Sequence, residues 1–341
     1  LLETLVTAYS PSHQEHSAVS LLVNWMNDHG YDRAFVDEAG SAVGIIGQGE
    51  HDVVLLGHID TFPGDLPVYR AGRLLYGRGT VDAKGPLCAF AAAGTRASLP
   101  GNIRLIVIGA VEEEAPTSKG ARHALSQYRP AACIIGEPSN WDRITLGYKG
   151  RLLLDWHWRG PLAHSAGQAP SPGERAVAYW QRICAYVDQA NAGTEAVFAR
   201  LDATLQAINT RENGAYGEAS LTAGFRLPPT LTPAEVEAVL QPDDDATVSA
   251  RGQEFAFVSD RDNALSRAMR GAIRSNGGSP RFVYKTGTSD MNVVGPVWQC
   301  PIVAYGPGDS ALDHTPDEHI DLDEYLQAVQ VLSEALSRLR L

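Results

Sequence analysis

Three consecutive glutamates, Glu112, Glu113 and Glu114, directly follow the apolar run IRLIVIG (103–109). Adjacent carboxylates repel one another and favour water, so placing them at the end of a buried-looking segment calls for a reason. The same arrangement recurs along the chain. VVLLG (53–57) runs into His58 and Asp60, AACIIG (131–136) into Glu137, and PIVAYG (301–306) is followed by Asp313 and His314. Asp82 lies in YGRGTVDAKG, between the first two of these runs in chain order. Taken singly, each feature has a bland reading: a short HxD, a charge at a helix start, a solvated acidic run. Together they place imidazoles and carboxylates at the ends of several strand-like runs. Carboxylates gathered in one cleft cannot all remain ionised without compensating cations, and no basic cluster is interleaved with these. Two divalent ions would compensate. In one such arrangement Asp82 bridges, His58 and Glu137 complete one site, and Glu114 and His314 complete the other. Imidazole and carboxylate without thiolate suit Zn²⁺, with Co²⁺ or Mn²⁺ as alternatives. Asp60 is then left to orient His58, and one glutamate to act as general base.

The elements that must carry these residues are strands and helices in alternation. The runs AVGIIG (42–47), VVLLG, IRLIVIG, AACIIG and PIVAYG read as buried parallel strands. HQEHSAVSLLVNWMNDHG places Val19, Leu22, Val23 and Met26 on one helical face and stops at Gly30. PLCAFAAAGTRA and DLDEYLQAVQVLSEALSRL read as further helices. The expected fold is α/β, with a mainly parallel sheet whose ligands gather at the carboxyl ends of its strands. The middle of the chain differs. RLLLDWHWRG, EASLTAGFRLPP and ATVSARGQEFAFV read as strands, and TPAEVEAVLQ as a helix with Thr232 as N-cap and Pro233 at its first position. We therefore expect a catalytic domain from residues 1–150 and 261–341, interrupted at 151–260 by an α+β lid or dimerisation domain.

The 341 residues carry a net charge of -12, which argues against nucleic-acid binding. No apolar run has membrane-spanning length, and the opening LLETLVTAYSPS has neither a basic start nor a long apolar stretch. No membrane partner and no secretory signal are expected, and a cytoplasmic location is. The first residue is not Met, so a few residues are expected to precede it. Cys88, Cys133, Cys184 and Cys300 are widely spaced and read as reduced thiols. Only four of the 28 basic residues are lysines: Lys84, Lys119, Lys149 and Lys285, each within two residues of a glycine. Chance is one reading. A requirement for a compact ammonium is the other.

These residues resemble the M20 family of dinuclear metallo-amidohydrolases and aminopeptidases. The matching stretches are GHIDTFPG (57–64), YGRGTVDAKGPLCAF (76–90), EEEAPTSKGAR (112–122), IIGEPS (134–139), AHSA (163–166), FRLPP (225–229), GTSDMN (287–292) and DHTPDEHI (313–320). The resemblance implies His58, Asp82, Glu114, Glu137 and His314 as ligands to two metal ions. It implies Asp60 in support, Glu113 as general base and a cis peptide after Asp82. The family shows an acidic pair where this chain has three glutamates. Counting back from Gly120 favours Glu113 and Glu114, with Glu112 and Glu113 as the other register. The resemblance further implies His164, from the lid of a partner subunit in a homodimer, as a donor to the developing oxyanion. It implies Arg226 as partner to a substrate carboxylate, with Asn213 a weaker match.

Gly287, Thr288 and Ser289 could offer backbone N–H groups to the substrate, and Asp290 or Glu112 could meet a substrate ammonium. Within the family the chain looks most like the branch that releases lysine or ornithine from a small acidic amino-group carrier protein, in lysine and arginine biosynthesis. Small-substrate deacylases acting on acetylornithine, acetylcitrulline, succinyl-diaminopimelate or another acyl-amino acid, and dipeptidases, are the alternatives. An acidic carrier would need a local basic patch, for which the arginines of the insert (Arg151, Arg159, Arg175, Arg182, Arg200, Arg211) are candidates. A non-catalytic metal-binding homologue is a reading of another class, against which the complete ligand set and base argue. A nucleotide-binding reading of GRGTVD is weak, because it has only two glycines at the required spacing.

Overall fold

The computed structural model describes residues 1–162, 169–242 and 245–341. The chain forms two compact units. The first comprises Leu1–Gly147, Ser259–Tyr284 and Ser289–Leu341, and the second Tyr148–Val258 with Lys285–Thr288. Against the expected boundaries, residues 148–150 and 285–288 fall in the second unit and residues 259–260 in the first.

In the first unit a central sheet runs in the order Arg33–Val36, Ala42–Ile46, Ile103–Ala110, His51–His58, Ala132–Gly136, Ile302–Ala304, Arg143–Tyr148. His51–His58 is parallel to both its neighbours, and Ile302–Ala304 is parallel to Ala132–Gly136. Ala42–Ile46, expected to be parallel, is antiparallel to both its neighbours. An apolar run reports burial, not strand direction. Val53 and Leu55 point to one face and Val54 and Leu56 to the other, and all four are fully buried. Both faces are therefore covered, as an apolar parallel core requires. The helix Leu322–Arg338 packs on Lys84–Arg96, and Ala264–Ser275 packs on Leu322–Arg338. Val19, Leu22, Val23 and Met26 of the helix His16–Asp28 are buried as the periodicity predicts.

One row of glycines governs how the first unit presents its strand ends. Gly57 pairs in register with both Gly109 and Gly136. A Cβ at Gly136 would lie 2.9 Å from both Phe90 and the Gly57 Cα, and one at Gly109 would lie 3.2 Å from Leu87. The missing side chains let the helix Lys84–Arg96 lie close against the strands. That helix begins at Lys84, two residues after Asp82.

The second unit holds an antiparallel sheet in the order Asp202–Glu212, Tyr216–Leu227, Gly150–Pro161, Thr247–Glu254. Its core includes Leu152, Leu154, Trp156, Ala219, Leu221 and Phe225. The helices Pro172–Ala190 and Pro233–Val239 each begin with a proline behind a capping box, Ser171 with Glu174 and Thr232 with Glu235.

Candidate metal centre

His58 is the last residue of His51–His58, and its ring is buried. Its Nδ1 lies 2.9 Å from the backbone oxygen of Asp60 and 3.5 Å from that residue's carboxylate. A proton on Nδ1 shared with these acceptors leaves the Nε2 lone pair free to ligate. Nε2 faces Asp82 Oδ1 at 3.2 Å. The other oxygen of the same carboxylate, Oδ2, is 3.0 Å from His314 Nε2, which also lies 2.9 Å from Glu114 Oε1. Glu113 Oε2 is 4.0 Å from His58 Nε2. Asp82 therefore offers one oxygen to each of two imidazoles contributed by remote segments. The Asp82–Ala83 peptide is cis, as the resemblance implies.

Donor atoms of His58, Asp82 and Glu137 form one group and those of Asp82, Glu114 and His314 a second, the atoms of each within 4.8 Å of one another. Zn–N and Zn–O bonds of about 2.0–2.2 Å in tetrahedral geometry put neighbouring donors roughly 3.3 Å apart. The observed separations of 2.9 to 3.2 Å match that spacing, and the donors are the nitrogen and oxygen types that zinc, cobalt and manganese accept. The residues fit a pair of divalent ions.

The electrostatics point the same way. Burial pushes the Glu113 carboxyl well above the ordinary range; His58 opposes this, while Glu137, Asp290 and Glu114 add to it. Burial does the same to Glu137, reinforced by Asp82. Burial raises Glu114, with the His314 hydrogen bond acting against it. Burial would also raise Asp82, but hydrogen bonds from His314 and His58 hold it well below the ordinary range. Hydrogen bonds to Asp82 and Glu114 raise His314 to about 10. Without other cations the cluster compensates its negative charge by keeping protons.

The three glutamates separate. Glu112 has a left-handed backbone (φ 61°) and turns away from His58, accepting a hydrogen bond from Thr117 and lying near His13 and Lys119. Glu113 and Glu114 turn towards the two histidines. Their backbone N–H groups donate to Asp60 Oδ1 at 3.1 Å and Oδ2 at 3.0 Å, and Ser12 Oγ donates to Oδ2 at 2.7 Å. The Asp60 carboxylate thus organises the glutamate loop as well as the imidazole it was expected to orient.

Among the other expected residues, Arg226 donates to the Thr288 hydroxyl at 3.1 Å within the second unit. Asn213 caps a hairpin turn, its side-chain oxygen accepting from the N–H groups of Ala215 and Tyr216. Ser289, in the first unit, is buried and caps the helix Asp290–Trp298, so its hydroxyl already has a structural task. A Cβ at Gly287 would meet nothing within 4 Å. His164 lies outside the described residues. Sequence reasoning missed two contributors. Phe62 stacks on the exposed His314 ring at 4.3 Å. Glu318 binds the loop that carries Asp82. Phe62 was visible inside GHIDTFPG and Glu318 inside DHTPDEHI, but nothing in either motif says what the side chain touches.

The model of peptidase family M20/M25/M40 matches residues 54–338. The chain belongs to this family. It is 47% identical to the [LysW]-lysine hydrolase of Deinococcus radiodurans, over 99% of this chain and 96% of the relative. It is 30% identical to the [LysW]-lysine/[LysW]-ornithine hydrolase of Sulfurisphaera tokodaii, over 99% and 94%. Solved M20 structures share the fold. A metallo-carboxypeptidase of Sulfolobus solfataricus superposes with a TM-score of 0.78 at 17% identity, covering 99% of this chain and 98% of its own. A Bacillus subtilis protein described as a dinuclear metal binding peptidase of the M20 family gives 0.67 at 13% identity, covering 98% and 95%. In this M20 chain, no helix among the described residues is long and apolar enough to cross a membrane.

Proposed function

We propose that this M20 chain is a dinuclear metal-dependent amide hydrolase that releases lysine, or ornithine, from a small acidic amino-group carrier protein. The observation that carries the chemistry is Asp82, whose two carboxylate oxygens each face a different histidine. The full-length identity to a [LysW]-lysine hydrolase supports the substrate.

His58, Asp82 and Glu137 would hold one ion and Asp82, Glu114 and His314 the other. Zinc is the preferred metal, and cobalt or manganese the alternatives. When bound, the ions polarise the amide carbonyl and bring the pKa of water from 15.7 to about 7. The chain's own groups do the rest. Glu113, beside His58 and free of Asp60's grip except through its backbone, takes the proton of the attacking water. It holds that proton until it passes it to the leaving amine nitrogen. Asp60 fixes the backbone of Glu113 and Glu114, and through His58 Nδ1 it fixes the tautomer of the ring. Phe62 restrains the exposed His314 ring.

For the second unit we propose lid and dimerisation roles, with Arg226 as partner to the substrate carboxylate and His164 as oxyanion donor. Asn213 is the weaker candidate, because the hairpin turn already uses its side-chain oxygen. An acidic carrier would meet the arginines of this unit. Arg159 is paired with Glu218, and Arg175 lies over Trp158. The chain is proposed to work in the cytoplasm.

The test is turnover by zinc-loaded protein of carrier-linked lysine, carrier-linked ornithine, acetylornithine, succinyl-diaminopimelate and a dipeptide. The highest kcat/KM is expected on a carrier-linked substrate. Preference for a free acyl-amino acid would overturn the carrier assignment, and no turnover of any of the five would overturn the enzyme assignment.

A further inference from the structure

The loop that presents Asp82 is anchored by a side chain from near the other end of the chain. Glu318 stands immediately before the strand His319–Asp321, which pairs antiparallel with Leu74–Tyr76. That pairing brings its side chain, which is fully buried, under residues 78–82. Its Oε1 accepts from the backbone N–H groups of Gly79 at 2.9 Å, Val81 at 3.0 Å and Asp82 at 3.2 Å. Its Oε2 accepts from Arg78 Nη1 at 2.8 Å. Arg78 is itself tied to the backbone oxygens of Gly64 and Thr315.

A buried carboxylate is costly unless it is both paired and hydrogen-bonded. This one has four donors. Three residues within one four-residue stretch aim their N–H groups at a single oxygen, an anion-binding concavity made by the backbone, with Gly79 at φ 84° shaping the turn. The occupant of that concavity is the Glu318 side chain itself. Asp82 is the residue whose placement counts most, because its two oxygens must serve two donor sets at once, and metal–ligand distances tolerate only about 0.2 Å. A loop free to shift by more than that would give up one set or the other.

We propose that Glu318 is a positioning residue: by gathering the N–H groups of Gly79, Val81 and Asp82, it fixes the Asp82 carboxylate in its two-site geometry before metal arrives. This rests on the reading of Asp82 as the ligand shared by two ions. Both oxygens are needed as acceptors. A Gln at 318 keeps the shape and one oxygen, but it turns an amide N–H₂ towards either Arg78 or the three backbone donors.

Calorimetric zinc titration of the wild type and E318Q tests this, with circular dichroism to check folding and the visible spectrum of cobalt-loaded protein as a second readout. Partners of this kind behind metal ligands contribute about 10–100-fold in affinity. E318Q is expected to keep its fold, to lose zinc affinity by that factor and to show altered cobalt bands. A purely structural carboxylate would lower the melting temperature and leave the cobalt spectrum of the folded fraction unchanged. A wild-type chain that takes up two ions, with E318Q equal in affinity and spectrum, overturns the inference alone. A wild-type chain that takes up fewer than two ions overturns the dinuclear assignment and this inference with it. Should E318Q fail to fold, amide exchange of the metal-free wild type decides. Protection at 79, 81 and 82 before zinc is added supports the inference, and exchange at the rate of an open loop until zinc is added overturns it.

Discussion

Replacing Asp60 by Asn changes one oxygen to an amide nitrogen and keeps the volume, so its effect isolates hydrogen bonding from packing. Asp60 is fully buried, and its carboxylate accepts from Glu113 N–H, Glu114 N–H and Ser12 Oγ. If the new amide nitrogen takes the place of Oδ1, it faces the Glu113 N–H donor to donor. That N–H loses its acceptor in a buried site, at a cost of about 1–3 kcal/mol. The two surviving bonds change from a charged to a neutral acceptor, each losing roughly 1 kcal/mol. The sum is about 3–5 kcal/mol, a large share of the roughly 5–15 kcal/mol that holds a typical domain together. If the amide nitrogen instead takes the place of Oδ2, Glu114 loses its acceptor, while Ser12 can rotate and accept. The total is then similar or slightly smaller. The assay is urea unfolding of metal-free D60N against the wild type. Zinc titration should show the further cost of a displaced Glu113–Glu114 loop. A loss below about 1 kcal/mol, less than one buried N–H left unsatisfied, would refute the idea that this carboxylate organises the loop.

Glu113→Gln removes the proposed base while leaving the two donor groups whole. Hydrolysis should fall about 10²–10⁴-fold with metal content unchanged by elemental analysis, and unchanged kcat would rule out Glu113. Zinc binding should be coupled to proton release. His314, raised to about 10, is protonated at pH 7 in the metal-free protein and must lose that proton to ligate. Zinc affinity should therefore increase with pH from neutrality towards about 10. Calorimetry in buffers of different ionisation enthalpy should count the released protons, and a pH-independent affinity would contradict this.

The sequence by itself determined the strands, because a strand buried on both faces must be apolar throughout, and its end is marked where polar residues resume. His58, the glutamates and Glu137 were located by that rule alone. It also determined the helix ends that depend on local chemistry, such as the N-cap at Thr232 with Pro233 behind it and the stop at the left-handed Gly30. It left the direction of Ala42–Ile46 open, since burial of a strand is the same whichever way it runs.

Only the tertiary structure decided which glutamates turn inward. The choice depends on Asp60, 53 residues away from Glu113 in sequence, taking two backbone N–H groups, and on Glu112 finding Thr117 and His13 instead. It also decided the lysine question at two positions. Lys84 is buried and donates to the backbone oxygens of Leu5 and Ala8, and Lys149 is buried against Arg200 O and Asp202. Glu318, 236 residues from Asp82 in sequence, was legible only as part of a motif. Local propensity acts over a few residues. Hydrogen bonds between segments this far apart exist only once the chain has closed, so no pattern along the sequence can display them.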